Sequence, residues 1–83
     1  MEGYVYLLKS SKKNWRYIGS TKDLKSRLEK HNDGRVRSTK FYKPLKLIYY
    51  ESYSNYGLAK KREYELKNHN QEKEKLFKRL GII

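Results

Sequence analysis

Apolar positions along the chain first follow a period of two. Gly3–Lys9 (Gly-Tyr-Val-Tyr-Leu-Leu-Lys) is a compact β-branched and aromatic run that predicts a first strand. Alternation puts Tyr4, Tyr6 and Leu8 on one face and Val5 and Leu7 on the other. Neither face is polar, which predicts a central strand covered on both sides. Ser10–Asn14 is turn-rich and short enough to close a hairpin. Trp15–Gly19 then predicts a second strand, with Trp15 and Tyr17 on one face and Arg16 and Ile18 on the other. Gly19 at its exit marks a backbone position that needs positive φ or a close approach.

The period then changes to that of a helix. Leu24 and Leu28 form an apolar stripe within Thr21–Asn32, Ser20, Thr21 and Asp23 supply cap chemistry, and Asn32-Asp33-Gly34 is a stop. The polar stretch from Arg35 to Lys43 reads as a loop. Its Arg35, Arg37, Lys40 and Lys43 serve either a solvated surface or a mobile basic flap over a nucleic-acid backbone. Leu45–Tyr53 predicts the third strand, and Ser54-Asn55-Tyr56-Gly57 ends it and caps a helix running to about Asn68. Leu58, Ala59 and Leu66 set the buried stripe of that helix. Asn70 caps a last helix with Leu76, Phe77 and Leu80 inside and Gly81 as its stop. The order is β-β-α-β-α-α, an α+β class, in one domain over 1–83.

Polar residues that violate the stripes carry the candidate chemistry. Arg27 and His31, one turn apart, fall on or beside the leucine stripe of the first helix. An inward arginine needs an anion, either a carboxylate of the chain or a phosphate. On the second helix Glu63 lies one turn after Ala59 and Arg62 lies beside it, and spacing leaves open which turns inward.

Composition narrows the partner. The 21 Lys and Arg against 9 Asp and Glu give a net charge of +12, which favours polyanions and makes nucleic acid the leading partner. No cysteine is present, which excludes a disulfide partner and fits a reducing, cytoplasmic setting. The 2 histidines are too few for a His-built metal site. No apolar run approaches a membrane span, and strand-like sequence at the N-terminus leaves no room for a signal peptide. We expect no membrane partner, and a monomer or weak dimer.

Taken in order, Tyr4-Val5-Tyr6, Tyr17-Ile18-Gly19, Arg27, His31-Asn32-Asp33-Gly34 and Ala59-Lys60-Lys61-Arg62-Glu63 resemble the GIY-YIG nuclease superfamily. The likeness is to its small members near the structure-selective junction nucleases. The first motif differs from the family name, with Tyr4-Val5 where Gly-Ile would stand, but the tyrosine is kept at Tyr6. The resemblance implies a small three-stranded antiparallel sheet flanked by helices and metal-dependent cleavage of a DNA phosphodiester. It implies Tyr17 as general base with Tyr6 orienting the water, and Arg27 on the phosphorane. Glu63 would be the single ligand of one Mg²⁺ or Mn²⁺. A role for His31 follows only in some branches, and the residue serves equally well as a cap of its own helix.

Other readings remain open at this level. Tyr6 and Tyr17 have an alternative as core residues with satisfied hydroxyls, and Glu63 as an exposed i, i+4 partner of Lys67. Lys22, Arg35, Arg37, Lys40, Lys43 and Lys67 are candidate backbone contacts to branched or single-stranded DNA, and Tyr42, Tyr53 and Tyr56 are candidates to stack on bases. His69 reads as surface. The rival functions are a non-catalytic basic nucleic-acid-binding module on the same scaffold and a ribosome-associated basic domain.

Overall fold

A computed structural model describes residues 2–82. Strand β1 (Gly3–Ser10) lies between β2 (Arg16–Thr21) and β3 (Leu45–Tyr53) in an antiparallel sheet of order β2-β1-β3. The strand with no polar face is thus the central one. Helix α1 (Leu24–Asn32) covers one face of the sheet, and α2 (Tyr56–Asn68) with α3 (Asn70–Arg79) covers the other. Alternation sorts the side chains into two cores. Tyr6, Leu8 and Leu45 pack with Trp15, Tyr17, Leu24 and Leu28 on the α1 side. Val5, Ala59, Leu66 and Leu76 pack with Ile18 and Phe77 on the other.

Alternation fails once, in β3. The register slips between Leu7 and Leu8, which face Tyr49 and Leu47. That bulge sends Tyr49 to the α2–α3 core and Leu47 to the α1 core, although both positions are odd.

Helix α1 starts at Leu24, later than the expected Thr21. Thr21 remains in β2 opposite Tyr4, and Asp23 is the N-cap, its Oδ1 accepting from Ser26 N at 3.1 Å. The stop is as expected. Gly34 takes φ +75°, and the Gly34 and Arg35 amides donate to the His31 and Lys30 carbonyls at 3.2 and 3.0 Å. Asn55 caps α2 through Leu58 N at 2.9 Å, whereas α3 begins on His69, so Asn70 is its first residue and not its cap.

Two further expectations change. Leu58 is 44% exposed, because it lies one residue, about 100°, around the helix from Ala59. The basic stretch before β3 is neither a plain loop nor a free flap. It contains a 3₁₀ turn at Lys40–Tyr42, Ser10 Oγ donates to Tyr42 O at 2.6 Å, and the Tyr42 ring stacks on Trp15 at 3.8 Å.

Arg62 and Glu63 both turn inward, to either side of the Ala59–Leu66 stripe. Arg62 donates to Glu51 at 3.0 and 3.3 Å, and Glu51 also accepts from the Tyr49 and Tyr53 hydroxyls at 2.7 and 2.5 Å. Burial alone would raise the Glu51 pKa, but these donors hold it below the usual carboxylate range. The network ties β3 to α2, and Arg62 extends it to Glu72 of α3 at 3.4 Å.

Gly19 is held by a close approach and not by positive φ. A Cβ there would stand 2.5 Å from the Tyr6 hydroxyl and 2.9 Å from Tyr17 Cε2. Gly19→Ala should therefore destabilise the fold by about 1–3 kcal/mol, as overpacking does. The loss is to be read from urea midpoints. Displacement of Tyr6 should appear alongside it as altered ring proton shifts by NMR.

Candidate functional site

Three segments meet at Tyr6. Its hydroxyl lies 2.9 Å from His31 Nε2, and the other ring nitrogen, Nδ1, lies 2.7 Å from Thr39 Oγ1. Tyr6 is 3% exposed, and His31 and Thr39 are fully buried. A neutral imidazole donates through one ring nitrogen and accepts through the other, so Tyr6 and Thr39 take opposite roles at its two ends. Burial and, less strongly, the nearby Arg27 charge lower the His31 pKa to about 4. Burial and the neighbouring Tyr17 push Tyr6 far up, so both groups are neutral at physiological pH. His31 therefore does not cap its own helix.

Tyr17 completes the cluster. Its ring stands 5.2 Å from His31 and 6.3 Å from Tyr6, and its hydroxyl has no hydrogen-bond partner among the described residues. Arg27 is half-buried one turn before His31 and lines a cleft of about 260 Å³ with Lys22, Ser26, Lys30 and Tyr56. Among the described residues no carboxylate pairs with its guanidinium. The cleft's own acid, Asp23, already caps α1.

Glu63 reaches the cluster from the opposite layer, across the edge strand β2. It accepts a short hydrogen bond from Ser20 Oγ and pairs with Lys67 at 2.7 Å. The i, i+4 pair with Lys67 considered above is therefore formed, but with the carboxylate largely covered, at 14% exposure. Burial would raise its pKa, but the bonds from Lys67 and Ser20 outweigh that and keep it low. Lys67 Nζ also lies 5.5 Å over the Tyr17 ring, joining the acid to the tyrosines.

Of the basic candidates, Lys22 and Lys67 adjoin the site and the others lie away from it. Lys22, Arg35, Arg37, Lys40, Lys43 and Lys67 are all exposed. Arg35 pairs with Asp33 at 2.9 Å, Lys40 lies over Phe41, and Lys22 lies over Tyr56. Tyr42 has one face covered by Trp15, Tyr53 is bonded to Glu51, and Tyr56 carries Lys22 and Lys60 against its ring. Sequence reasoning missed Ser20 and Thr39 as partners. Continuing the β2 alternation from Arg16 and Ile18 would have placed Ser20 on the Glu63 face. Nothing in the polar run marked Thr39.

A three-stranded antiparallel sheet between one helix and two, with Tyr6, Tyr17, Arg27 and Glu63 around its edge strand, defines a small α+β domain. Residues 2–76 match the GIY-YIG catalytic domain model. A UPF0213 protein of Staphylococcus aureus strain Mu3 is 41% identical over 71 residues, 84% of this chain and 85% of its own. The same figures hold for the UPF0213 protein SAV0488 of strain Mu50. The solution NMR structure of the UPF0213 protein BH0048 from Bacillus halodurans superposes with a TM-score of 0.57 at 30% identity, covering 94% of this chain and 84% of that one. The chain belongs to the GIY-YIG family, whose members are generally endonucleases. Among the described residues, no helix is long and apolar enough to cross a membrane.

The buried neutral histidine fixes a pH dependence. The folded imidazole takes its proton near pH 4 and a free one near 6.5, so acid favours the unfolded chain. Stability is full above about pH 6.5 and falls toward pH 4, by on the order of 3 kcal/mol. Urea midpoints between pH 7.5 and 4.5 should show this slope. A His31→Gln variant should be less stable at pH 7.5 and lose the slope in that window.

Proposed function

We propose that this protein is a divalent-metal-dependent endonuclease that hydrolyses a DNA phosphodiester. The supporting observation is Arg27, a half-buried guanidinium without a carboxylate partner, set in a cleft with Lys22 and Lys30 beside the tyrosine cluster. A buried cation is costly unless an anion meets it, and a phosphate suits a cleft of this charge. Arg27 binds the scissile phosphate and stabilises the charge that grows on its oxygens. Tyr17, whose hydroxyl has no hydrogen-bond partner among the described residues, is the general base, its phenolate form taking the proton of the attacking water. Tyr6 is the fixed phenol that orients that water, its hydroxyl hydrogen-bonded to the neutral His31.

Glu63 suits a hard cation. Its carboxylate stays ionised and is held in place by Ser20, and it already carries the Lys67 ammonium on Oε2. Among the described residues no group of three His, Cys, Asp or Glu gathers anywhere, which is compatible with Mg²⁺ or Mn²⁺ held by one carboxylate and water but not with a zinc cage. When bound there, the ion would supply Lewis-acid polarisation of the phosphate and leaving oxygen. The Lys67 ammonium on Oε2 would compete with such an ion for the carboxylate charge. That same ion pair favours the second reading, a basic module that binds nucleic acid without cutting it.

One pair of assays on the same variants separates the two readings. Under the endonuclease reading, Mn²⁺-dependent nicking of branched or single-stranded DNA should fall at least ~100-fold in Glu63→Gln and Tyr17→Phe. Binding, followed by anisotropy in the presence of a chelator, should stay within a few-fold for both, whereas Arg27→Ala should weaken binding and cleavage alike. Cleavage that survives chelation and both substitutions overturns the assignment. Salt-sensitive binding without any cleavage leaves the binding module.

A further inference from the structure

Helix α1 leaves part of its sheet face open. Between α1 and β3 runs a groove of about 580 Å³, floored by Leu24, Leu28 and Leu47 and walled by Tyr4 and Tyr50. The tyrosine rings meet edge-on, with centroids 6.2 Å apart and planes at 64°. Tyr50 is 52% exposed. Among the described residues no cation lies over its ring, unlike those of Tyr42 and Tyr56, which lie under Lys13 and under Lys22 and Lys60.

Charges of both signs line this groove. Asp23 is the one acid among its lining residues, and Glu2 accepts from the Tyr4 hydroxyl at 2.6 Å. Lys22 and Lys25 also line it, and Lys22 is shared with the Arg27 cleft next door. An apolar, aromatic slot that shares Lys22 and Asp23 with the Arg27 cleft matches a nucleotide entering base first.

Resting on the nucleic-acid reading above, we propose that this groove holds one unpaired nucleobase, stacked on Tyr50, while the adjoining phosphate lies in the Arg27 cleft. A base inside a duplex is already stacked on its neighbours and cannot enter. The site therefore selects single-stranded, flapped or frayed DNA over intact duplex, and Lys22 bridges base slot and phosphate cleft.

The test compares two anions of equal charge. Fluorescence anisotropy follows binding of a labelled oligothymidylate of about ten nucleotides and of its abasic counterpart, at several salt concentrations. The thymidylate should bind the native protein more tightly by about 5- to 100-fold. Tyr50→Ala should remove that advantage and leave the abasic affinity unchanged. Tyr50→Phe should keep it, as should Phe41→Ala, which removes a 71% exposed ring outside the groove. Equal binding of both oligomers by the native protein, or an advantage that survives Tyr50→Ala, overturns the base slot and leaves the phosphate site standing. If neither oligomer binds in a salt-dependent way, the nucleic-acid reading fails and the slot fails with it.

Discussion

The buried chain of hydrogen bonds from Tyr6 through His31 to Thr39 is the constraint around which the α1 side of this protein is arranged. It joins the central strand, the end of α1 and the stretch before β3, which share no regular backbone pairing. Buried polar groups of this kind are costly when one partner is lost, so the chain holds all three segments to one geometry. It also explains why the basic stretch is pinned and not a flap. Thr39 is fully buried, and the Trp15–Tyr42 stack and the Ser10 hydroxyl fasten the residues that follow.

The opposite layer is fixed by other means. Arg62 and Glu51 link α2 to β3, while Glu63 and Ser20 link α2 to β2, so α2 is fastened at both outer strands. The two layers communicate around the β2 edge, where Lys67 touches the acid on one side and the Tyr17 ring on the other. Gly19 makes that edge thin, since any side chain there would occupy the space of the Tyr6 hydroxyl. Tyrosines, arginine and glutamate on different layers are thereby brought around one narrow strand.

Electrostatics then divides the surface. The charge of +12 supplies a long-range attraction for polyanions but no geometry of its own. Its local pattern is mixed: Arg27 has no carboxylate partner among the described residues, while Asp23 lines both its cleft and the neighbouring Tyr50 groove.

The element order, the central place of β1, the bounds of β3 and the inward bias of Arg27 and His31 were all legible in the chain. Each depends on local periodicity or cap chemistry, which neighbouring residues determine among themselves. Tertiary packing alone decided the rest. Periodicity left Arg62 and Glu63 undecided because both flank the same stripe, and only the positions of Glu51 and Ser20 settled that both turn inward. The β3 bulge reversed the faces of Tyr49 and Leu47, which no alternation rule anticipates. Thr39 became the partner of His31 because a loop folded back across the end of α1, and a contact between residues eight apart in a polar run leaves no periodic trace.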